Sequence, residues 1–194
     1  MSDQQQPPAN TLPPDLYGLF AGAIDQLAVQ RFHNAISIAS GGGVKTIHLL
    51  FQSTGGIIGD GISLYNLFRA SPIQIHLYNV GSVQSIAVIA FLGAHRRVVS
   101  TYGAFMIHRS FLNPGPATSE KLSASAGYLG IEDDRIEAIL KDQTELPNDK
   151  WQQHKYSDVW LTAQEAVEYG FADNIGEFSP PPGTRLFNVW PPQS

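Results

Sequence analysis

There is no cysteine anywhere in the 194 residues. That absence rules out disulfides, a thiol nucleophile and any zinc site built on thiolates. It suits a reducing compartment, so the expected location is cytoplasmic. Positive charge is scarce as well: 12 Lys and Arg stand against 17 Asp and Glu, a net charge of -5. A surface short of cations is a poor match for nucleic acid or an anionic membrane, and neither is expected as a partner. Long apolar runs are missing too. The most apolar stretch, Ile86-Ala87-Val88-Ile89-Ala90-Phe91-Leu92, falls far short of the roughly 20 residues that span a bilayer. The first residues, Met1-Ser2-Asp3-Gln4-Gln5-Gln6-Pro7-Pro8, hold neither a basic start nor an apolar core, so no signal peptide is expected. His33, His48, His76 and His95 show no metal-ligand spacing and read as structural or surface residues.

What is present describes an ordinary globular chain: 43% hydrophobic and 15% charged residues, enough for one domain with a sizeable core. The Gln- and Pro-rich start is expected to be mobile. A first strand follows over Leu16-Tyr17-Gly18-Leu19-Phe20-Ala21-Gly22. Asp25 then precedes Ala28, Val29, Phe32, Ile36 and Ala39, a helical spacing that Ser40-Gly41-Gly42-Gly43 terminates. Thr46-Ile47-His48-Leu49-Leu50-Phe51 reads as a strand, and Ile57, Ile58, Ile62, Leu64, Tyr65 and Phe68 as the apolar positions of a second helix. Ile73-Gln74-Ile75-His76-Leu77-Tyr78 alternates like a third strand element. Gly81 and Ser82 break the pattern before the apolar helix that starts after Ser85. Short strands are predicted over 96–100 and 104–108, a long helix over 118–144, and a break at Pro147-Asn148-Asp149. A compact helix, capped by Thr162 and stopped by Gly170, follows.

Repeated strand–helix–strand units imply a largely parallel sheet covered by helices, with ligands at the C-terminal ends of the strands. Residues 52–56 and 79–85 both fall at such ends and can meet at one site. Ser85 opens the apolar helix, where the first backbone N–H groups are unpaired. Two readings of it follow from that position: a nucleophile beside an anion-stabilising site, or a plain N-cap.

Taken together, Ser53-Thr54-Gly55-Gly56, Gly81-Ser82-Val83-Gln84-Ser85, Met106-Ile107-His108 and Leu161-Thr162-Ala163-Gln164-Glu165-Ala166-Val167-Glu168-Tyr169-Gly170 resemble the Clp protease proteolytic subunit family. The likeness runs from about Leu16 to Phe178. It implies the ClpP/crotonase-like α/β fold of repeated β-α-β units with a protruding long helix. It also divides the chain into a flexible segment over 1–15, a serine protease domain over 16–178 and a Pro-rich tail over 179–194. By position, the resemblance makes Ser85 the nucleophile and His108 its base, with the Gly56 and Ile86 amides as the oxyanion hole. No cofactor or metal is implied. The substrate would be peptide or unfolded protein.

The sequence departs from the family pattern at Val83, Gln84 and Ala87, around the nucleophile. Counting back from Leu161-Thr162-Ala163 puts His154 where the family has an aspartate. A neutral histidine can accept a hydrogen bond from His108 Nδ1–H and set its tautomer, but supplies no charge to an imidazolium. Asp149 and Asp158 are the alternatives for that third position. The resemblance further implies a homo-oligomeric ring, with residues 118–144 at the contact between rings, and an AAA+ unfoldase as a possible partner. Residues 1–14 hold no counterpart of the family's N-terminal gate. Two rival functions remain on these residues. One is a crotonase-type acyl-CoA enzyme, which the lack of Asp or Glu in 52–56 and 79–85 disfavours. The other is a non-catalytic ring subunit, which the missing aspartate allows.

Overall fold

The computed structural model describes residues 12–113 and 115–189. The segment expected to be flexible over 1–15 lies outside the described residues up to position 11, and so does the tail from Trp190 onward.

Alternation of apolar and polar side chains sets the strands. In β2 (Thr46–Gln52) Ile47, Leu49 and Phe51 are buried, while His48 and Leu50 lie on the other face. β3 (Gln74–Asn79) repeats the pattern with Ile75, Leu77 and Asn79 buried, and β1 (Asp15–Ala21) with Gly18 and Phe20. The helices that cover this face show the matching 3.6-residue period. α1 (Gln26–Gly41) is started by Asp25, whose carboxylate accepts from the Ala28 N–H at 2.8 Å, and buries Ala28, Phe32, Ile36 and Ala39. α2 (Ile58–Arg69) buries Ile62, Leu64, Tyr65 and Phe68. Phenylalanine rings fill the space between sheet and helices, with Phe20–Phe32 centroids at 4.9 Å and Phe32–Phe68 at 5.1 Å.

The main sheet has six strands in the order β8-β5-β3-β2-β1-β9, every neighbouring pair parallel. Its further members are β5 (Arg96–Val99), β8 (Asn174–Ile175) and β9 (Phe187–Asn188). A smaller sheet stands at its C-terminal edge in the order β4-β6-β7, formed by β4 (Ser82–Gln84), β6 (Ala104–Ile107) and β7 (Val159–Leu161). β4 and β6 run parallel, β6 and β7 antiparallel. Between them α3 (Ile86–Leu92) is buried at every residue, as its uniformly apolar sequence requires.

α4 (Ser119–Gln143) is the long helix, about 38 Å at 1.5 Å per residue. Thr118 caps it, and its buried residues, Glu132, Asp133, Ile136 and Leu140, all lie in its C-terminal half. Leu122, Tyr128 and Ile131 are exposed along the rest. α6 (Ala163–Glu168) carries the expected Thr162 cap, completed into a capping box by Glu165.

Three features differ from the sequence reading. Residues 82–84 are strand β4, because Val83 buries itself and bridges Ser53 although Gly81 breaks the alternation. The Pro147-Asn148-Asp149 break is the start of a helix, α5 (Asn148–His154), since Pro147 needs no amide partner before a first turn. The tail crosses from β8 at one sheet edge to β9 at the other, laying Phe178 against Tyr78 (5.3 Å between ring centroids) and Tyr17 (6.2 Å).

Candidate active site

The site forms where the C-terminal ends of β2 and β3 meet the small sheet. Asn79, fully buried, shapes the turn after β3: its Oδ1 accepts from the Gly81 N–H at 3.1 Å and its Nδ2 donates to the Ala104 carbonyl at 2.8 Å. β4 is stitched to the end of β2 by Gln84 N–H to Ser53 O at 2.9 Å and Ser53 N–H to Ser82 O at 3.3 Å. The Ser53 hydroxyl then accepts from the Gly55 N–H at 3.1 Å, closing the loop back on itself.

Ser85 ends this arrangement in a backbone conformation of φ 56° and ψ -135°, the one non-glycine residue with positive φ among the described residues. Its N–H donates to Met106 O at 2.7 Å, which fixes the residue against β6. The N-cap alternative fails on geometry, because the side chain makes no bond to the helix it precedes. The hydroxyl is hydrogen-bonded instead to His108 Nε2 at 2.8 Å. Strained, glycine-like conformations of this kind cluster at functional sites, and here the serine hydroxyl faces an imidazole.

The Gly-Gly loop lies directly over that serine. A Cβ on Gly55 would stand 2.8 Å from Ser85 Cβ and 3.2 Å from its Oγ, and the φ of 100° at Gly55 also excludes an ordinary side chain. A Cβ on Gly56 would collide with the Ile24 carbonyl. Ile24 N–H to Gly55 O at 2.9 Å and Ile57 N–H to Ile24 O at 2.8 Å bracket Gly56, so its own N–H is turned away from Ile24. Gly56, Ser85, Ile86 and His108 line one cavity of about 220 Å³, whose remaining wall is mostly Ile58, Ile89, Ile107, Ile136 and Leu140. Four of the residues singled out in the sequence thus meet.

At the third position the counted histidine is buried beside the base without a bond to its ring. His154 is 2% exposed at the end of α5, its ring set edge-on to Trp151 at 5.7 Å and turned towards the His108 backbone. It is not bonded to the His108 imidazole. Burial holds its pKa below the ordinary histidine value; Glu137 and Asp133 pull it up and Arg109 pushes it down. Asp149 is exposed in the first turn of α5, next to the Lys150–Glu165 ion pair of 3.0 Å. Asp158 is exposed and immediately precedes Val159, which pairs with Ile107 across β6 and β7. The β6–β7 ladder ends at that pair, one residue short of His108 and of Asp158. Among the described residues His108 Nδ1 makes no hydrogen bond.

Residues beyond the sequence candidates also build the site. Ser53 and Asn79 shape its two loops, and Arg109 follows His108 into an ion pair with Asp133 of α4 at 2.7 Å. The Ser53-Thr54-Gly55 and Asn79-Val80-Gly81 spacings each carried a local signal for a side-chain-closed turn; nothing local marks Asp133.

Comparison with known proteins agrees with this architecture. A family model described as Clp protease matches residues 21–179. An ATP-dependent Clp protease proteolytic subunit of Paracoccus denitrificans is 24% identical over 160 residues, covering 81% of this chain and 79% of that protein. One from Streptococcus salivarius is 28% identical over 134 residues, 68% of each. The solved structure of a ClpP1 variant from Listeria monocytogenes superposes with a TM-score of 0.71 at 20% identity, over 84% of this chain and 91% of that one.

Proposed function

Because this chain belongs to the Clp protease family, we propose that it is a serine endopeptidase that cleaves peptides or unfolded proteins through an acyl-enzyme. The observation that carries this reading is the 2.8 Å contact between the Ser85 hydroxyl and His108 Nε2, made by a serine held at φ 56°. A serine hydroxyl is a poor nucleophile until a base takes its proton during attack, and an imidazole is suited to that near neutral pH. His108 accepts the Ser85 proton as Oγ adds to the scissile carbonyl, then returns it to the leaving amine. Water repeats the sequence to release the acyl group. The Gly56 and Ile86 amides stabilise the oxyanion, each worth on the order of 3 kcal/mol. The cavity's isoleucine and leucine walls accept an apolar side chain of the substrate.

Asp158 is the third member, in place of His154. The β6–β7 register that pairs Ile107 with Val159 supports it, and a carboxylate supplies the charge that an imidazolium needs. The protein acts as a homo-oligomeric ring, to which an AAA+ unfoldase can deliver chains. Exposed Leu122, Tyr128 and Ile131 on α4 are surfaces for contact between copies. Among the described residues no helix is long and apolar enough to cross a membrane.

One observation favours a second reading, a non-catalytic ring subunit: the absence of a bonded acceptor at His108 Nδ1. A fluorophosphonate probe separates the two. Peptidase function requires stoichiometric labelling that disappears in Ser85→Ala, and a folded protein that is never labelled supports the non-catalytic subunit.

A further inference from the structure

β6 ends at Ile107, and among the described residues no regular element begins again until Ser119. His108 is therefore the first residue beyond the strand, outside the ladder that holds β6 in place. What anchors the chain immediately after it is a carboxylate from the long helix. Asp133 is 7% exposed. Its Oδ2 accepts from Arg109 Nε at 2.9 Å and lies 2.7 Å from Arg109 Nη2, so two guanidinium nitrogens share one carboxylate oxygen. Its Oδ1 accepts from the Ser110 backbone N–H at 2.8 Å. Glu137, one turn further along α4, takes Arg109 Nη1 at 3.2 Å and is itself held by Lys141 at 3.0 Å. A buried carboxylate is costly unless its oxygens are satisfied, and here both oxygens are spent on the two residues that follow His108.

Taking the peptidase reading as its basis, we infer that Asp133 is a positioning residue for His108. Through Arg109 and Ser110 it sets the backbone from which the imidazole reaches Ser85, and it ties that geometry to the placement of α4. The one hydrogen bond the imidazole makes is to Ser85, so this backbone anchor bears on its aim independently of any carboxylate at Nδ1. A misplacement of about 1 Å at a reacting group can cost on the order of a hundredfold in rate.

The test compares Asp133→Asn, Arg109→Gln and the double variant with wild type, at matched sedimentation behaviour. Asp133→Asn keeps an acceptor for the Ser110 amide and removes the charge; Arg109→Gln alters a half-exposed side chain and leaves the buried carboxylate its backbone partner. Two readouts are taken: the rate of Ser85 labelling by fluorophosphonate per folded molecule, and the ¹³Cε1 resonance of His108 in histidine-labelled protein. Each single variant is expected to label about tenfold to a hundredfold more slowly, with KM for a peptide within about threefold. The double variant should be no slower than the worse single, because the pair acts as one unit. The His108 resonance should move in all three. Folded Arg109→Gln that labels within twofold of wild type, with His108 unshifted, overturns the proposal. So does a loss of activity that only tracks the loss of folded protein. Should Asp133→Asn fail to fold, Arg109→Gln carries the comparison. If wild type is never labelled, the peptidase reading falls, and the His108 resonance still decides whether the anchor positions the ring.

Discussion

Replacing Ser85 by glycine should make the protein more stable than replacing it by alanine, although both abolish acylation. Both variants lose the same bond to His108 Nε2, worth about 1 kcal/mol net, so that loss cancels between them. What differs is the backbone. At φ 56° and ψ -135° a residue with a Cβ carries strain of about 1–3 kcal/mol, which alanine retains and glycine relieves. Against this, glycine orders a more flexible unfolded chain, at a cost of about 0.5–1 kcal/mol. The difference should therefore favour glycine by about 1 kcal/mol, or on the order of 3 °C in Tm for a chain of this length. Calorimetry of the two variants at one protein concentration measures it directly, and denaturant midpoints give an independent value. An alanine variant as stable as the glycine variant, or more so, would show that Ser85 is not strained. The argument from conformation to function would then lose its basis.

Other consequences follow from the site and the histidines. Asp158→Asn should slow labelling by about 10³-fold or more while His154→Ala leaves it within a few-fold; the reverse pattern returns the third role to His154. Gly55→Ala should suppress labelling at retained fold, because its Cβ would stand 2.8 Å from Ser85 Cβ, and labelling at wild-type rate would contradict that packing. Acid should destabilise the fold before any carboxylate titrates. Burial, with nearby His48, Arg96 and His95, lowers the His76 pKa from 6.5 to about 4, and burial lowers that of His154. The unfolded chain then binds protons that the folded chain refuses. Stability is full above about pH 6.5 and declines as pH falls towards 4, a slope that His76→Asn should reduce in denaturant titrations; an unchanged slope would reject this cause.

The sequence on its own settled what depends on local pattern. Inward-facing Ile47, Leu49 and Phe51 follow from alternation, and the faces of α1 and α2 follow from apolar spacing. The cap at Thr162 follows from a short polar side chain placed beside unpaired amides. Ser85, His108, Gly56 and Ile86 were also legible, through motifs carried at strand ends, and the fold brings all four to one cavity.

What the tertiary structure decided depends on pairings between distant segments. Where the Ser85 hydroxyl points, to an imidazole and not to the helix it precedes, is set by the Met106 carbonyl and by His108, 23 residues away. The third position could not be found by counting, because a count along one strand carries no register against its partner. The β6–β7 ladder ends at Ile107–Val159, so Asp158 comes just before β7 as His108 comes just after β6, while His154 closes α5. Asp133 is the extreme case. An acidic residue in a charged helix reads as solvated until the fold lays Arg109 and the Ser110 amide against it, and only then does its burial acquire a cause.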